Sequence, residues 1–244
     1  MKLASMNSGA RDGALVVVDT LLTRAVAVPG IAATLQHALD HWDTVEPRLA
    51  EVSRALNAGQ CSDAFAFDAH EAAAPLPRAY QFLDGSVYLQ HMEKARCARG
   101  ADMPPNWQTE PLMYQGLSDT LLGAHDDVPF VSEDLEIDYE AEIAILTDDV
   151  PMGVRAADAA AHIKLVMLMN DWTARALTRS ELPKGFGFVQ SKPACSFSPV
   201  AVTPDEFGAA WDGARLSLPL LSFVNGKRLG CPDAGADMFF SYPE

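Results

Sequence analysis

EIDYEAEIAIL, residues 136–146, sets two glutamates, Glu140 and Glu142, into a run of β-branched and aliphatic residues that otherwise reads as a buried strand. Alternate residues of a strand point to the same side, so the two glutamates share one face, with Cβ atoms roughly 6 to 7 Å apart. Two carboxylates desolvated at that distance repel each other, and each resists ionising unless a proton or a cation compensates. A divalent metal is the simplest compensation. The competing reading is an antiparallel strand with one wet face, the glutamates out and Tyr139, Ala141, Ile143 and Ile145 in. Taken alone, so short a stretch favours the wet face.

The rest of the chain narrows the choice. Of its 244 residues 49% are apolar, enough for a sizeable core in one large domain or one domain plus a small one. Eighteen basic residues against 33 acidic ones leave a formal charge of −15. That balance argues against a surface that tracks phosphates, and so against nucleic acid as a partner. An anionic small substrate would be repelled by the average field, so a site for one needs local positive charge from a metal or from placed Arg and Lys. Cys61, Cys97, Cys195 and Cys231 show neither a CxxC pair nor Cys/His ligand spacing and read as free intracellular thiols. The N-terminus has no apolar signal core, and apolar runs such as LVMLM (165–169) are far too short to span a bilayer. The expectation is a cytoplasmic protein with no membrane partner.

KLASMNSGARDGALVVVD (2–19) places a Gly- and Asp-rich turn between two strand-like runs, a hairpin signal. In residues 31–60, Leu35, Leu39, Trp42, Val45, Leu49, Val52 and Leu56 recur at helical spacing and Gly59 stands where a C-terminal cap belongs, predicting two helices. HEAAAPLPRAYQF (70–82) is rich in proline and small residues and predicts a linker near 70–78. The domains expected are a small N-terminal one, 1–75, and a second, 76–244. In the second, strands are expected in DYEAEIAIL, HIKLVMLMND, FSPVAVTP and RLSLPLLSFVNGKRLG, the last a hairpin turning at Asn225-Gly226. Short helices are expected at about Ser86 to Arg99 and in DWTARALTRSEL. The fold class is α+β and strand-rich, a folded sheet or barrel-like roll.

Three further places carry chemistry-bearing residues, each with an ordinary explanation beside the functional one. Asp171 ends a continuous apolar strand where side chains converge, or it is the N-cap of the helix that follows. Asp84 stands seven residues, two helical turns, before His91, so both could face one cleft, or they are a solvated aspartate and a surface histidine. Lys192 follows a glycine-spaced loop, where a lone lysine is ordinarily exposed.

Together, DGSVYLQH (84–91), PPNWQTEPLMYQG (104–116), DYEAEIAIL (138–146), LMNDWTAR (168–175) and GFGFVQSKPACSFSP (185–199) resemble the fumarylacetoacetate hydrolase family in order and spacing. The resemblance covers roughly residues 80 to 200, and the N-terminal start is similar to that of shorter bacterial members. It implies a mixed β-roll catalytic domain behind a small N-terminal domain, and a homodimer binding Mg²⁺ or Ca²⁺, with Mn²⁺ an option. It implies Asp84, Glu140, Glu142 and Asp171 as metal ligands, His91 and Lys192 as catalytic residues, and Tyr114 and Arg175 as substrate contacts. The oxygen donors suit a hard cation. Ser86, Ala176 and Thr178 depart from the family pattern, which bears on substrate preference. The family also continues for roughly another 80 residues, about half a domain, a stretch expected to hold the carboxylate that orients the histidine and a substrate-binding threonine.

The activity implied is metal-dependent hydrolysis of a carbon–carbon bond in a 2,4-dioxo acid such as fumarylacetoacetate, from aromatic amino acid breakdown. An acylpyruvate hydrolase, a 2-oxo acid decarboxylase, and a hydratase or isomerase of an aromatic catabolic intermediate are alternatives. A non-catalytic binding protein on the same roll is a reading of another class.

Overall fold

The computed structural model describes residues 1–244. Strands β1 (Lys2–Met6) and β2 (Ala14–Val18) form the predicted hairpin, and β3 (Arg24–Ala27) and β4 (Phe65–Ala66) extend it. Gly13, at φ +63°, closes the hairpin where a Cβ would lie 2.9 Å from the Met6 carbonyl oxygen, a position only glycine fills without strain. Between β3 and β4 come the two predicted helices, α1 (Leu35–Asp40) and α2 (Trp42–Asn57). Thr34 caps α1 by accepting the His37 N–H. Left-handed Gly59 ends α2, with its N–H on the Leu56 carbonyl and that of Gln60 on the Ala55 carbonyl. Trp42, Val45, Leu49 and Leu56 of α2 pack with Leu3, Leu15 and Val17 in the main core, while Ala4, Val16 and Val18 bury the opposite sheet face.

Next come β5 (Leu83–Ser86), α3 (Leu89–Ala98), β6 (Leu112–Gln115), β7 (Ile137–Thr147), α4 (Ala156–Ala159), β8 (Ile163–Ala174) and α5 (Arg175–Glu181). Then follow β9 (Ser196–Phe197), β10 (Ala201–Val202), β11 (Ser222–Val224) and β12 (Lys227–Gly230). One sheet runs β4-β3-β2-β1-β10-β8-β7, with β9 also on β8. Its seam is the pairing of Lys2 with Val202 and Leu3 with Ala201, so the strands before residue 70 and those after it share a sheet and a core. β5–β6 and β11–β12 are separate two-stranded ribbons. The architecture is α+β and strand-rich, as expected.

Local departures from the sequence expectations have identifiable causes. The helix expected from Ser86 begins at Leu89, because Leu83–Ser86 is taken up by pairing with Leu112–Gln115. FSPVAVTP forms two short strands, interrupted at Pro199, which has no N–H to donate. RLSLPLL is not a regular strand; around Pro219 it makes only isolated bridges, Trp211 with Leu216 and Pro219 with Asp233. The Asn225-Gly226 turn does form, both residues at positive φ, as a tight hairpin requires. No helix is long and apolar enough to cross a membrane.

Candidate metal centre and active site

The β7–β8 register decides the question raised by the two glutamates. Along one face the cross-strand pairs are Leu146 with Leu165, Ala144 with Met167, Glu142 with Met169 and Glu140 with Asp171. The first two pairs lie in or against the main core, so the carboxylates continue the inward face. Tyr139, Ala141, Ile143 and Ile145 take the other side and are half-buried. The wet-face reading is therefore inverted: β7 is apolar on both faces at its C-terminal end, and its partner's buried odd-numbered residues set which face turns in. Asp171 is 0% exposed and lies within β8. It is not a helix cap, since the strand continues to Ala174, which holds the cap position of α5.

Asp84 reaches the same place from the β5–β6 ribbon, opposite Tyr114, and not from a helix shared with His91. The Tyr114 hydroxyl donates to Asp171 Oδ2 at 2.7 Å, and its ring meets Phe188 edge-on at 4.8 Å. One oxygen each from Asp84, Glu142 and Asp171 lies within 4.8 Å of the others. Burial, then the charge of Asp171, pushes Asp84 up to about 6. Burial, then Asp84, Asp171 and Glu140, pushes Glu142 up to about 9. Three converging oxygen donors that repel one another when ionised are a fit for a hard divalent cation. Glu140 is placed differently. It accepts from Lys192 Nζ at 2.7 Å and from Arg175 Nη2 at 2.7 Å; against the effect of burial, these cations hold its pKa below the usual range. Three of the four predicted ligands thus converge, and the fourth flanks them as an acceptor for two cations.

A consequence is measurable. With a pKa near 9, Glu142 carries a proton at pH 7 and must release it to ligate. Cation binding should liberate about one proton at pH 7, and affinity should rise with pH up to about 9. Calorimetry in buffers of different ionisation heat reads this directly, and buffer-independent heats would contradict the assignment.

The positive groups are set by the neighbouring elements. Lys192 is 6% exposed and bridges Glu140 and Asp171, whose charges raise its pKa despite burial. The loop before it hangs on Glu181, the buried last residue of α5, which accepts the N–H groups of Val189, Gln190 and Ser191 and the Ser191 hydroxyl. Against burial, these bonds draw Glu181 down to about 2. Arg175, heading α5, also binds Asp138 through Nε at 2.9 Å. His91 stands exposed on α3. Desolvation by its surroundings, then Arg175, Lys192 and Arg99, lowers its pKa against the pull of Glu140. Arg99, at the end of α3, has Arg96 and Arg175 as its charged neighbours. Buried Cys195 puts Sγ 3.3 Å from Asp171 Oδ1. Burial, then Asp171, raises its pKa far above the usual thiol range, so it remains S–H and donates.

Glu181, Arg99 and Cys195 were not expected at the site, Cys195 being read only as a free thiol. The only sequence signal for any of them is proximity, three residues from Lys192 for Cys195 and eight from His91 for Arg99. Of the family departures, Ser86 lies half-buried on β5 and Thr178 turns its hydroxyl back to the Ala174 carbonyl at 3.3 Å.

The fold is thus strand-rich α+β, with a cluster of inward carboxylates beside a lysine and an arginine. Residues 1–78 match the family model described as fumarylacetoacetase N-terminal domain 2, and residues 81–244 match fumarylacetoacetate hydrolase C-terminal. The chain belongs to the fumarylacetoacetate hydrolase family. Human mitochondrial oxaloacetate tautomerase FAHD2B is 27% identical over 97 residues, 39% of this chain and 31% of that protein. The matched part is thus under a third of that curated relative's length. Among solved structures, maleylpyruvate hydrolase from Sphingobium sp. SYK-6, in complex with manganese and pyruvate, superposes with TM-score 0.68 at 15% identity, over 100% of this chain and 80% of that one. Fumarylacetoacetate hydrolase from Exiguobacterium antarcticum gives TM-score 0.64 at 19% identity, over 96% and 75%. These likenesses establish the shared fold.

Proposed function

We propose that the chain is a divalent-cation-dependent hydrolase that cleaves a carbon–carbon bond in a small 2,4-dioxo acid, fumarylacetoacetate or a near analogue. The observation that carries this reading is the meeting of two opposite demands within one site. The carboxylates Asp84, Glu142 and Asp171 call for a cation, while Arg99, which acts on His91 and whose own charged neighbours are Arg96 and Arg175, calls for an anion. A chelating dioxo acid satisfies both. When bound, Mg²⁺, Mn²⁺ or Ca²⁺ supplies a Lewis acid for the negative charge that develops on the substrate oxygens.

The chain's own residues supply the rest. His91, with its lowered pKa, is neutral at pH 7 and takes a proton from water on an imidazole nitrogen. The water oxygen bonds to the carbonyl carbon. The adjoining carbon–carbon bond then breaks, its electron pair passing to the departing carbon as an enolate, which takes up the proton. Arg99 and Arg175 hold the substrate carboxylate, which the acidic surface would otherwise repel. Lys192 keeps Glu140 and Asp171 aligned.

The second reading is keto–enol interconversion of an oxo acid, favoured by the likeness to the human oxaloacetate tautomerase. In it His91 takes a proton from the carbon beside the oxo group and the resulting enolate oxygen takes one up, with no attack by water. The expected result is chelator-sensitive cleavage of fumarylacetoacetate or an acylpyruvate into two acids, followed by chromatography and loss of dioxo absorbance. Interconversion without cleavage would assign the tautomerase reading, and cation binding with no turnover of any of these would leave a binding protein. The homodimer is likewise a proposal.

A further inference from the structure

We infer that Cys195 is a positioning residue for the carboxylate centre: its thiol fixes the rotation of the Asp171 carboxylate, so that this group meets a cation already aligned with Asp84 and Glu142. The inference rests on the cation reading above and adds a residue to it. Asp171 is 0% exposed, so protein donors and not bulk water orient it. Its two oxygens are treated unequally. Oδ2 receives the Tyr114 hydroxyl at 2.7 Å and the Lys192 ammonium, whereas Oδ1 receives only the Cys195 thiol at 3.3 Å. Torsion about the bond to an aspartate carboxylate is broad and nearly two-fold. The donors on Oδ2 restrain that torsion from one side, and the thiol restrains it from the other while giving Oδ1 a partner.

The two donors on Oδ2 also have other partners. Lys192 is shared with Glu140, and Tyr114 faces Asp84 across the ribbon. Cys195 has Asp171 as its one side-chain partner. Its own placement is stiff: its carbonyl accepts the Leu122 N–H at 2.9 Å, and the next two residues pair with Asn170 and Met169 of β8. The three-oxygen cluster does not include its sulfur, so it orients a ligand without being one. Groups in that position typically change metal affinity by 10- to 100-fold.

The test is calorimetric titration of Mn²⁺ into the full chain and its Cys195→Ala, Cys195→Val and Cys195→Ser variants. The alanine and valine variants are expected to bind Mn²⁺ at least about 10-fold more weakly, and the serine variant, which keeps a donor, to recover most of the loss. Valine fills the space without donating, so it separates hydrogen bonding from packing and decides the matter if the alanine variant does not fold. In infrared difference spectra, the S–H stretching band that vanishes in Cys195→Ser should shift when Mn²⁺ binds. A valine variant that binds Mn²⁺ as tightly as the parent, or an S–H band indifferent to Mn²⁺, would overturn the inference while leaving the cation reading standing. A folded parent chain that takes up no Mn²⁺ would overturn both.

Discussion

Glu142→Gln is expected to remove cation binding while leaving the fold as stable as before. Between Asp84 and Asp171 the Glu142 carboxyl is neutral at pH 7, pushed up to about 9 by burial and by those charges. Glutamine reproduces the size and neutrality of that protonated group, so the cation-free chain gives up little. As a ligand, however, the amide brings no negative charge. Affinity for Mn²⁺ should fall by more than about 100-fold, beyond what groups outside the ligand shell typically carry. Glu140→Gln should do the reverse. It withdraws the charge that faces Lys192 and Arg175, leaving a buried ammonium half-compensated and destabilising the fold by about 3 kcal/mol. Thermal melts in chelator beside Mn²⁺ titrations separate the two; a Glu142→Gln chain that binds Mn²⁺ normally would remove Glu142 from the ligand set.

His91→Ala should lower kcat by about 10² to 10⁴-fold with Mn²⁺ affinity unchanged, because the imidazole lies outside the three-carboxylate cluster. The pH profile offers a second check with a definite sign. A base works only when deprotonated, so activity should fall as pH drops through the pKa of His91. Desolvation and the three nearby cations place that pKa below the ordinary 6.5, so activity measured with Mn²⁺ kept saturating at every pH should already be level at neutrality. A rate still climbing between pH 7 and 8, or a His91→Ala chain with normal turnover, would identify another residue as the base.

The parts of this arrangement that could be read from the sequence were those governed by a local period. Spacing of two put Glu140 and Glu142 on one face, spacing of three and four placed α2, and Asn225-Gly226 marked a turn. What could not be read was set by partners distant in sequence. Whether the glutamates faced in or out depended on β8, because Ala144 and Leu146 on their own face are as apolar as Ile143 and Ile145 on the other. The helix-cap reading of Asp171 failed for a similar reason: pairing with Glu140 holds it in a strand, and no hydropathy pattern within β8 announces that. Asp84 reached the centre through a ribbon whose second strand lies 26 residues further on. Glu181, which organises the loop carrying Lys192, looks in sequence like any acid near the end of a helix.

The seam between β1 and β10 bears on how the molecule comes apart. β8, which carries Asp171, is bonded through β10 to β1, and the layer of α1 and α2 packs on the far strands of that sheet. With no break in the ladder and a core common to both matched segments, there is no hinge at which one could melt and leave the other native. The chain should behave as one cooperative unit. Trimming Leu49, fully buried beneath the sheet, would then diminish cation uptake by depleting the folded population, and the affinity of each molecule still folded would remain that of the parent.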